Sequence, residues 1–488
     1  FKHLVLFLLP VFISISCKQK KESITPPPNI ILMVADDLGY NDLSVYRNAT
    51  PGQAEKPPTC QTPHIDKLAE EGMRFTSFYC GAAVCSPSRA AIISGRNATR
   101  VGIYNWIPPR QPMHLRAKEV TIAEMLKQKD YQTAHFGKWH LTSEGMGQPL
   151  MNDQGYDYSF FTYNNANPSH ENPENFFRNG EPVGELEGYA CQLVVDEAIQ
   201  WLKEKKSSDK PFYINVWFNE PHEKVAAPDS LANRHEYNQE YYGCIENMDY
   251  AVGRLMTFLK ENRLEENTLV LFSSDNGSQK YGSNYPLRGE KAFNYEGGVR
   301  VPFIARWPQV IPAGKTSDAI GSFTDVLPSI AEFCDAPLPD NKLDGISLAP
   351  VFTGEADSVE RKHPVFFYRY FHDPVCMMRE GDWSLLGYEE IIPYTNHLDG
   401  RELAKFKPEP DEPRWAQWGF QEGHMEAIPG IVPKYFELYN LKNDIGQKHN
   451  LADRYPEKVE QMKKQMLQLR EEMVDDGGNW YANDTISQ

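Results

Sequence analysis

"NIILMVADD", residues 29–37, is an apolar run closed by two carboxylates. No polar residue alternates with Ile30 to Ala35, so neither face of the run can look onto water, and the stretch reads as a buried parallel strand that ends in a loop. The same design recurs in "YQTAHFGKWH" (131–140), "PFYINVWFNEPH" (211–222) and "NTLVLFSSDNG" (267–277), each an apolar strand with polar residues at its carboxyl end. Helical stretches separate them. "TPHIDKLAEEG" (62–72) offers Thr62 as a cap, Pro63 at the first helical position and Gly72 past the end, while "TIAEMLKQK" (121–129) carries a Thr121/Glu124 capping box. "DEAIQWLKEKK" (196–206) and "YYGCIENMDYAVGRLMTFLKENR" (241–263) are amphipathic at helical spacing. Strand alternating with helix predicts an α/β fold with a large, mostly parallel central sheet, and such sheets carry their sites at the carboxyl ends of the strands.

After about residue 360 the texture changes. "HPVFFYRYF", "MMREGDWSLLGY" and "YFELYNLKND" predict short aromatic-rich strands of a small antiparallel sheet, followed by an amphipathic terminal helix, "PEKVEQMKKQMLQLREEMV". The expected organisation is a catalytic domain over 28–360 and a small α+β subdomain over 361–488. Ahead of them, "FKHLVLFLLPVFISIS" (1–16) is too short to span a bilayer and reads as a signal peptide of the lipoprotein type, with Cys17 as the lipidated residue. A simple secretory signal is the alternative, and either predicts export, to the periplasm or the outer surface. Residues 17–27 form a charged, proline-rich tether.

A formal charge of −17 excludes a nucleic-acid binder and a protein that coats anionic membrane by charge; contact with a membrane is expected only through the lipid on Cys17. An anionic substrate must therefore be drawn in by a local basic pocket. Eight cysteines without a regular framework or a C-x-x-C pair argue against a disulfide scaffold and against a zinc site.

Asp36 and Asp37 end one strand, Asp275 and Asn276 another; a parallel sheet brings both pairs together as an oxygen-rich cage for a hard divalent ion, Ca2+ in preference to Mg2+. Taken singly, each pair also reads as a cap or a turn. Lys138, His140, His222 and Lys291 follow other strand ends, and Arg89 stands four residues after Cys85. With a divalent ion these cations would hold a tetrahedral oxyanion, sulfate or phosphate, and stabilise charge on a leaving oxygen.

Cys85-Ser86-Pro87-Ser88-Arg89 followed by "AAIISGR" resembles the signature of the formylglycine-dependent sulfatases. "ADDLGYNDL", "TPHIDKLAEEGMRFTSFY", "GKWHL", "NEPH", "SDNG", "RGEKAFNYEGGVRVPFIARWP" and "ELYNLKND" follow that family's order from about residue 28 to 455. The resemblance implies an alkaline-phosphatase-like sandwich and a bacterial carbohydrate sulfatase. It implies that Cys85 is oxidised to formylglycine by a formylglycine-generating enzyme, and that one hydroxyl of the hydrated aldehyde attacks sulfur while the second later expels sulfate. Carried over, Cys85 is nucleophile and metal ligand beside Asp36, Asp37, Asp275 and Asn276. Arg89 and His140 hold the diol, with His140 the base; Lys138 binds sulfate oxygens; His222 and Lys291 flank the bridging oxygen, one of them as general acid. Glu290 stands where the family usually has glycine.

The expected substrate is a sulfated oligosaccharide or polysaccharide, attacked from chain ends, with galactose or N-acetylgalactosamine favoured by "NEPHEKVAAPD" and "YYGCIENMDYAVGRL". The rivals are a phosphomonoesterase or phosphodiesterase on the same scaffold, and a non-catalytic glycan-binding lipoprotein.

Overall fold

Asn29–Ala35 forms the central strand, β1, of a ten-stranded sheet in the computed structural model, which describes residues 26–53, 60–205, 208–390, 420 and 422–482. The others are β2 (Met73–Phe75), β3 (Gln132–Lys138), β4 (Tyr158–Thr162), β5 (Phe177–Arg178), β6 (Glu181–Pro182), β7 (Phe212–Trp217), β8 (Thr268–Ser274), β9 (Phe303–Arg306) and β10 (Lys315–Ser317). Their spatial order is β10-β2-β9-β8-β1-β7-β3-β4-β5-β6. β1 is parallel to β7 and β8, and β3 to β7 and β4, as the apolar runs require. β9 runs antiparallel to β8 and β2, and β4-β5-β6 pair antiparallel, so the sheet is mostly parallel with mixed edges.

Both faces of β1 are buried. Ile30, Leu32 and Val34 enter one hydrophobic core and Ile31, Met33 and Ala35 the other, each large side chain contributing about 1.5–3 kcal/mol by leaving water. The chain's helices include α1 (Pro63–Glu70), α2 (Cys85–Ser94), α3 (Ile122–Lys127), α4 (Ala190–Lys205) and α5 (Gln239–Glu261). The α3 capping box of Thr121 and Glu124 is formed as read. Thr62 does not cap α1; its hydroxyl donates to Asp66 Oδ1 at 3.0 Å and accepts from the Ser44 amide, while Pro63 does open the helix.

The late strands, β11 (Val365–Tyr368), β12 (Cys376–Glu380), β13 (Trp383–Tyr388) and β14 (Tyr435–Asn440), make a four-stranded antiparallel sheet in chain order, followed by α6 (Pro456–Gly477). It shares one hydrophobic core with the larger layer, in which Leu32 and Val34 belong to the same buried cluster as Leu385 and Met466, and polar contacts add to this. Buried Arg100 binds Asp344 and, on α6, Glu472 at 2.7 Å, and the Asn294 amide donates to the carbonyls of Pro374 and Val375.

All seven cysteines of the described residues are buried and outside any disulfide. The expected leader, Cys17 and most of the tether lie outside the described residues. Among those described, no helix is long and apolar enough to cross a membrane.

Candidate active site

The register aligns Ala35 with Ser274, and Val34 and Gly137 with Trp217, so the segments that follow β1, β3, β7 and β8 emerge at one edge of the sheet. Backbone amides stitch them together, donating to carbonyls and to side chains of the neighbouring segments. Asp36 N–H donates to the Glu220 carbonyl and Asp275 N–H to the Ala35 carbonyl. The amide of Asp37, a residue in the left-handed region at φ 63°, donates to Asp275 Oδ1 at 3.1 Å, and the Leu38 amide donates to Ser274 Oγ. Four residues of the Cys85 signature have tasks of their own. Cys85 opens α2, whose ten residues are all buried, and the spacing of four puts Arg89 on the same helix face. Ser86 Oγ accepts the Ile107 amide and Ser88 Oγ the Gly81 amide, fixing the neighbouring loops, and Gly95 ends the helix at φ 68°.

Every predicted site residue converges here. Arg89 donates through Nε and Nη2 to Asp275 Oδ2 at 3.0 and 2.8 Å and through Nη1 to the Lys138 carbonyl at 2.9 Å. Lys138 Nζ lies 2.6 Å from Asp36 Oδ2, and Lys291 Nζ 2.6 Å from Asp37 Oδ2. His222 Nε2 lies 3.4 Å from the same Asp37 oxygen. Cys85 Sγ is 3.6 Å from Asp36 Oδ1. His140 Nε2 meets the Ile107 carbonyl at 3.1 Å, and its Nδ1 is buried with no partner among the described residues. Arg89, Asp36, Lys138 and Asp275 are sealed from solvent, whereas His222 and Lys291 keep side-chain exposures of 19 % and 12 %. The mouth of the site is therefore at His222 and Lys291.

Burial sets the electrostatics. It pushes the Cys85 thiol up to about 12 against the pull of Lys138 and Lys291, so the thiol is protonated at neutral pH. Burial would raise Asp36 too, but Lys138, His222, Arg89 and Lys291 outweigh it and hold the carboxyl well below its ordinary value. His140 is pushed well below the ordinary histidine value by burial, then by Lys138 and Arg89.

The oxygens of Asp36, Asp37 and Asn276 suit a hard divalent ion, while the Cys85 sulfur and the His222 ring nitrogen beside them are softer donors. Cys85 Sγ, carboxylate oxygens of Asp36 and Asp37 and a ring nitrogen of His222 all lie within 4.8 Å of one another. Asn276 donates through Nδ2 to Asp37 Oδ1 at 2.7 Å, while its buried Oδ1 has no partner among the described residues and supplies a further neutral oxygen. Asp275 is arranged differently from its predicted partners, with one oxygen on the Asp37 amide and the other on Arg89. Three carboxylates, Asp36, Asp37 and Asp275, thus face three cations, Arg89, Lys138 and Lys291.

The Sulfatase family model matches residues 28–336. The chain belongs to the sulfatase family. A second family model, N-sulphoglucosamine sulphohydrolase, C-terminal, matches 289–417. Among curated relatives, human arylsulfatase A is 33% identical, spanning 72% of this chain and 73% of its own length. N-acetylgalactosamine-6-sulfatase of Canis lupus familiaris is 31% identical over 70% and 69%. The crystal structure of Ps i-CgsB in complex with k-i-k-neocarrahexaose superposes with a TM-score of 0.73 at 25% identity, covering 93% of this chain and 94% of that one. The phosphonate monoester hydrolase of Agrobacterium radiobacter shares the fold at a TM-score of 0.60 and 18% identity. This sulfatase is a sulfuric ester hydrolase with the alkaline-phosphatase-like architecture.

Some contacts of the sulfatase site escape a reading of the sequence. Trp217 lies under Arg89, 5.2 Å from ring centroid to guanidinium carbon, yet in "FYINVW" it reads as core. Asn165, which accepts from Lys138 Nζ at 2.8 Å, sits in a polar loop with nothing to single it out.

Proposed function

We propose that this sulfatase removes sulfate from a sulfated carbohydrate, with Cys85 converted to formylglycine as the nucleophile. The observation that carries this is the place of Cys85, at the start of α2 among Arg89, Lys138 and Lys291 in a chain of the sulfatase family. A buried thiol pushed up to about 12 is not a nucleophile at neutral pH, yet it stands at the focus of three cations and opens a helix whose N-terminus favours an anion. Conversion of the side chain to a hydrated aldehyde would supply the attacking oxygen and a self-collapsing sulfated adduct.

The chain's own residues then divide the work. Lys138 and the N-terminus of α2 bind sulfate oxygens, and Arg89, locked by Asp275, orients the nucleophile. His140, kept neutral, takes the proton whose loss releases sulfate. His222 and Lys291, at the mouth, meet the bridging oxygen, and one of them protonates the leaving alcohol. Asp36, Asp37, Asp275, Asn276 and residue 85 would hold Ca2+, which supplies Lewis-acid polarisation of the sulfate oxygens.

The carbohydrate assignment is supported by the N-acetylgalactosamine-6-sulfatase relative and by the neocarrahexaose complex of Ps i-CgsB. We favour a galactose or N-acetylgalactosamine sulfate at a chain end. The same reading divides the chain at residue 360, assigns maturation to a formylglycine-generating enzyme, and places the protein outside the cytoplasm on a lipid at Cys17. The test is release of sulfate from defined sulfated galactose and N-acetylgalactosamine by converted protein and by Cys85→Ala. Turnover is expected from the first and none from the second. Turnover by Cys85→Ala, or faster hydrolysis of the matching phosphate esters, contradicts the proposal.

A further inference from the structure

At the mouth, the residue after His222 reaches across to the loop that carries Lys291. His222 Nδ1 lies 2.7 Å from the Glu223 carbonyl, and the Glu223 side chain pairs with Lys280 Nζ at 3.0 Å. Both side chains are more than half exposed, at 56 % and 58 %. Lys280 is also held over the ring of Tyr281, 4.5 Å from its centroid, and Asn238 donates to the Tyr281 carbonyl, tying this loop to the start of α5. The far end of the loop is fixed as well, since the Lys291 amide donates to the Ser278 carbonyl. Lys280 has φ 61°, a left-handed conformation that lysine adopts at a cost.

An ion pair this exposed contributes little to stability. Glu223 follows His222 and Lys280 stands in the loop that ends at Lys291, so the pair adds one cationic donor and one anionic acceptor on the chain segments that carry the two residues of the mouth. A vicinal diol matches it: one hydroxyl accepts from the ammonium, the next donates to the carboxylate.

We propose that Glu223 and Lys280 form a specificity subsite for the free hydroxyls of the leaving sugar, resting on the sulfatase reading above. The class of substrate follows from the charges. A sugar with one sulfate and free neighbouring hydroxyls exchanges its hydrogen bonds with the pair. A second sulfate in place of the hydroxyl that donates to Glu223 removes that donor and sets an anion against the carboxylate, on a chain whose formal charge is already −17.

The experiment compares converted wild type, Glu223→Gln and Lys280→Asn, asparagine being chosen because it tolerates the left-handed region. Three esters are used: singly sulfated N-acetylgalactosamine, its disulfated analogue, and 4-nitrophenyl sulfate, which has no sugar hydroxyls. Each variant should lose about ten-fold or more in kcat/KM on the singly sulfated sugar relative to its own change on the nitrophenyl ester, chiefly through KM. Glu223→Gln should also narrow the gap between the singly and doubly sulfated sugars. Losses of equal factor on sugar and aryl ester, or none on either, overturn the subsite while leaving the sulfatase reading intact. Wild type that hydrolyses neither kind of ester overturns both.

Discussion

Residue 85 shows how burial, helped by the carboxylates of Asp275 and Asp36, can silence a side chain. Its thiol has three cations nearby, yet loss of hydration outweighs them and keeps it protonated. The same burial has the opposite use at His140. The base role proposed for His140 needs a neutral ring, and a value held well below the ordinary 6.5 keeps the ring so in mildly acidic solution. A depressed value means that more acid is needed to protonate the ring, so the acid limb of kcat should lie below pH 6.5. A kcat–pH profile with 4-nitrophenyl sulfate measures this, and a limb at or above that value would identify a different base. Cys85→Ser is expected to fold with an unchanged thermal midpoint and to lack multiple turnover, because a serine ester has no second hydroxyl with which to expel sulfate.

At the scale of elements, the site depends on how closely β3 and β7 approach. Gly137, at φ 99°, leaves no room for a side chain: a Cβ built there would stand 1.8 Å from the Trp217 carbonyl oxygen. Gly137→Ala should therefore destabilise the protein by at least about 2 kcal/mol and displace Lys138, the next residue; urea unfolding with parallel kcat/KM measurement reads both effects. The long strands were legible because unbroken apolar runs admit only a doubly covered sheet, and their polar ends announced Asp36, Lys138, His222 and Asp275. Short pieces were not: the helix Ser44–Asn48 and the hairpin Phe177–Pro182 are shorter than any period that would reveal them. Thr62 misled because a capping hydroxyl and one bonded to Asp66 look alike in sequence. Trp217 and the Glu223–Lys280 pair were invisible for the same kind of reason, since a packed aromatic reads as core and two charges 57 positions apart reveal no contact.

For the whole molecule, an acidic chain surrounds a site in which three carboxylates already meet three cations. The formal charge of −17 should repel a long polyanion, so at low salt a sulfated monosaccharide should be turned over faster than a matched polymer, and moderate salt should narrow the ratio by screening. A polymer that is preferred at low salt and loses ground as salt rises would reveal a basic binding track instead. Removal of divalent ions should abolish turnover and lower the thermal midpoint, with about 2.7 kcal/mol forfeited if the ion is normally present at a hundred times its Kd. The fold should survive, because Arg89, Lys138 and Lys291 each already pair with a site carboxylate. In the proposed mechanism residue 85 acts only after conversion. Mass spectrometry of the peptide bearing residue 85, across preparations with different degrees of conversion, set against sulfate released from N-acetylgalactosamine 6-sulfate, tests it most directly. Turnover should rise in proportion to the aldehyde fraction and extrapolate to zero with the thiol; full turnover from protein carrying only the thiol would contradict it.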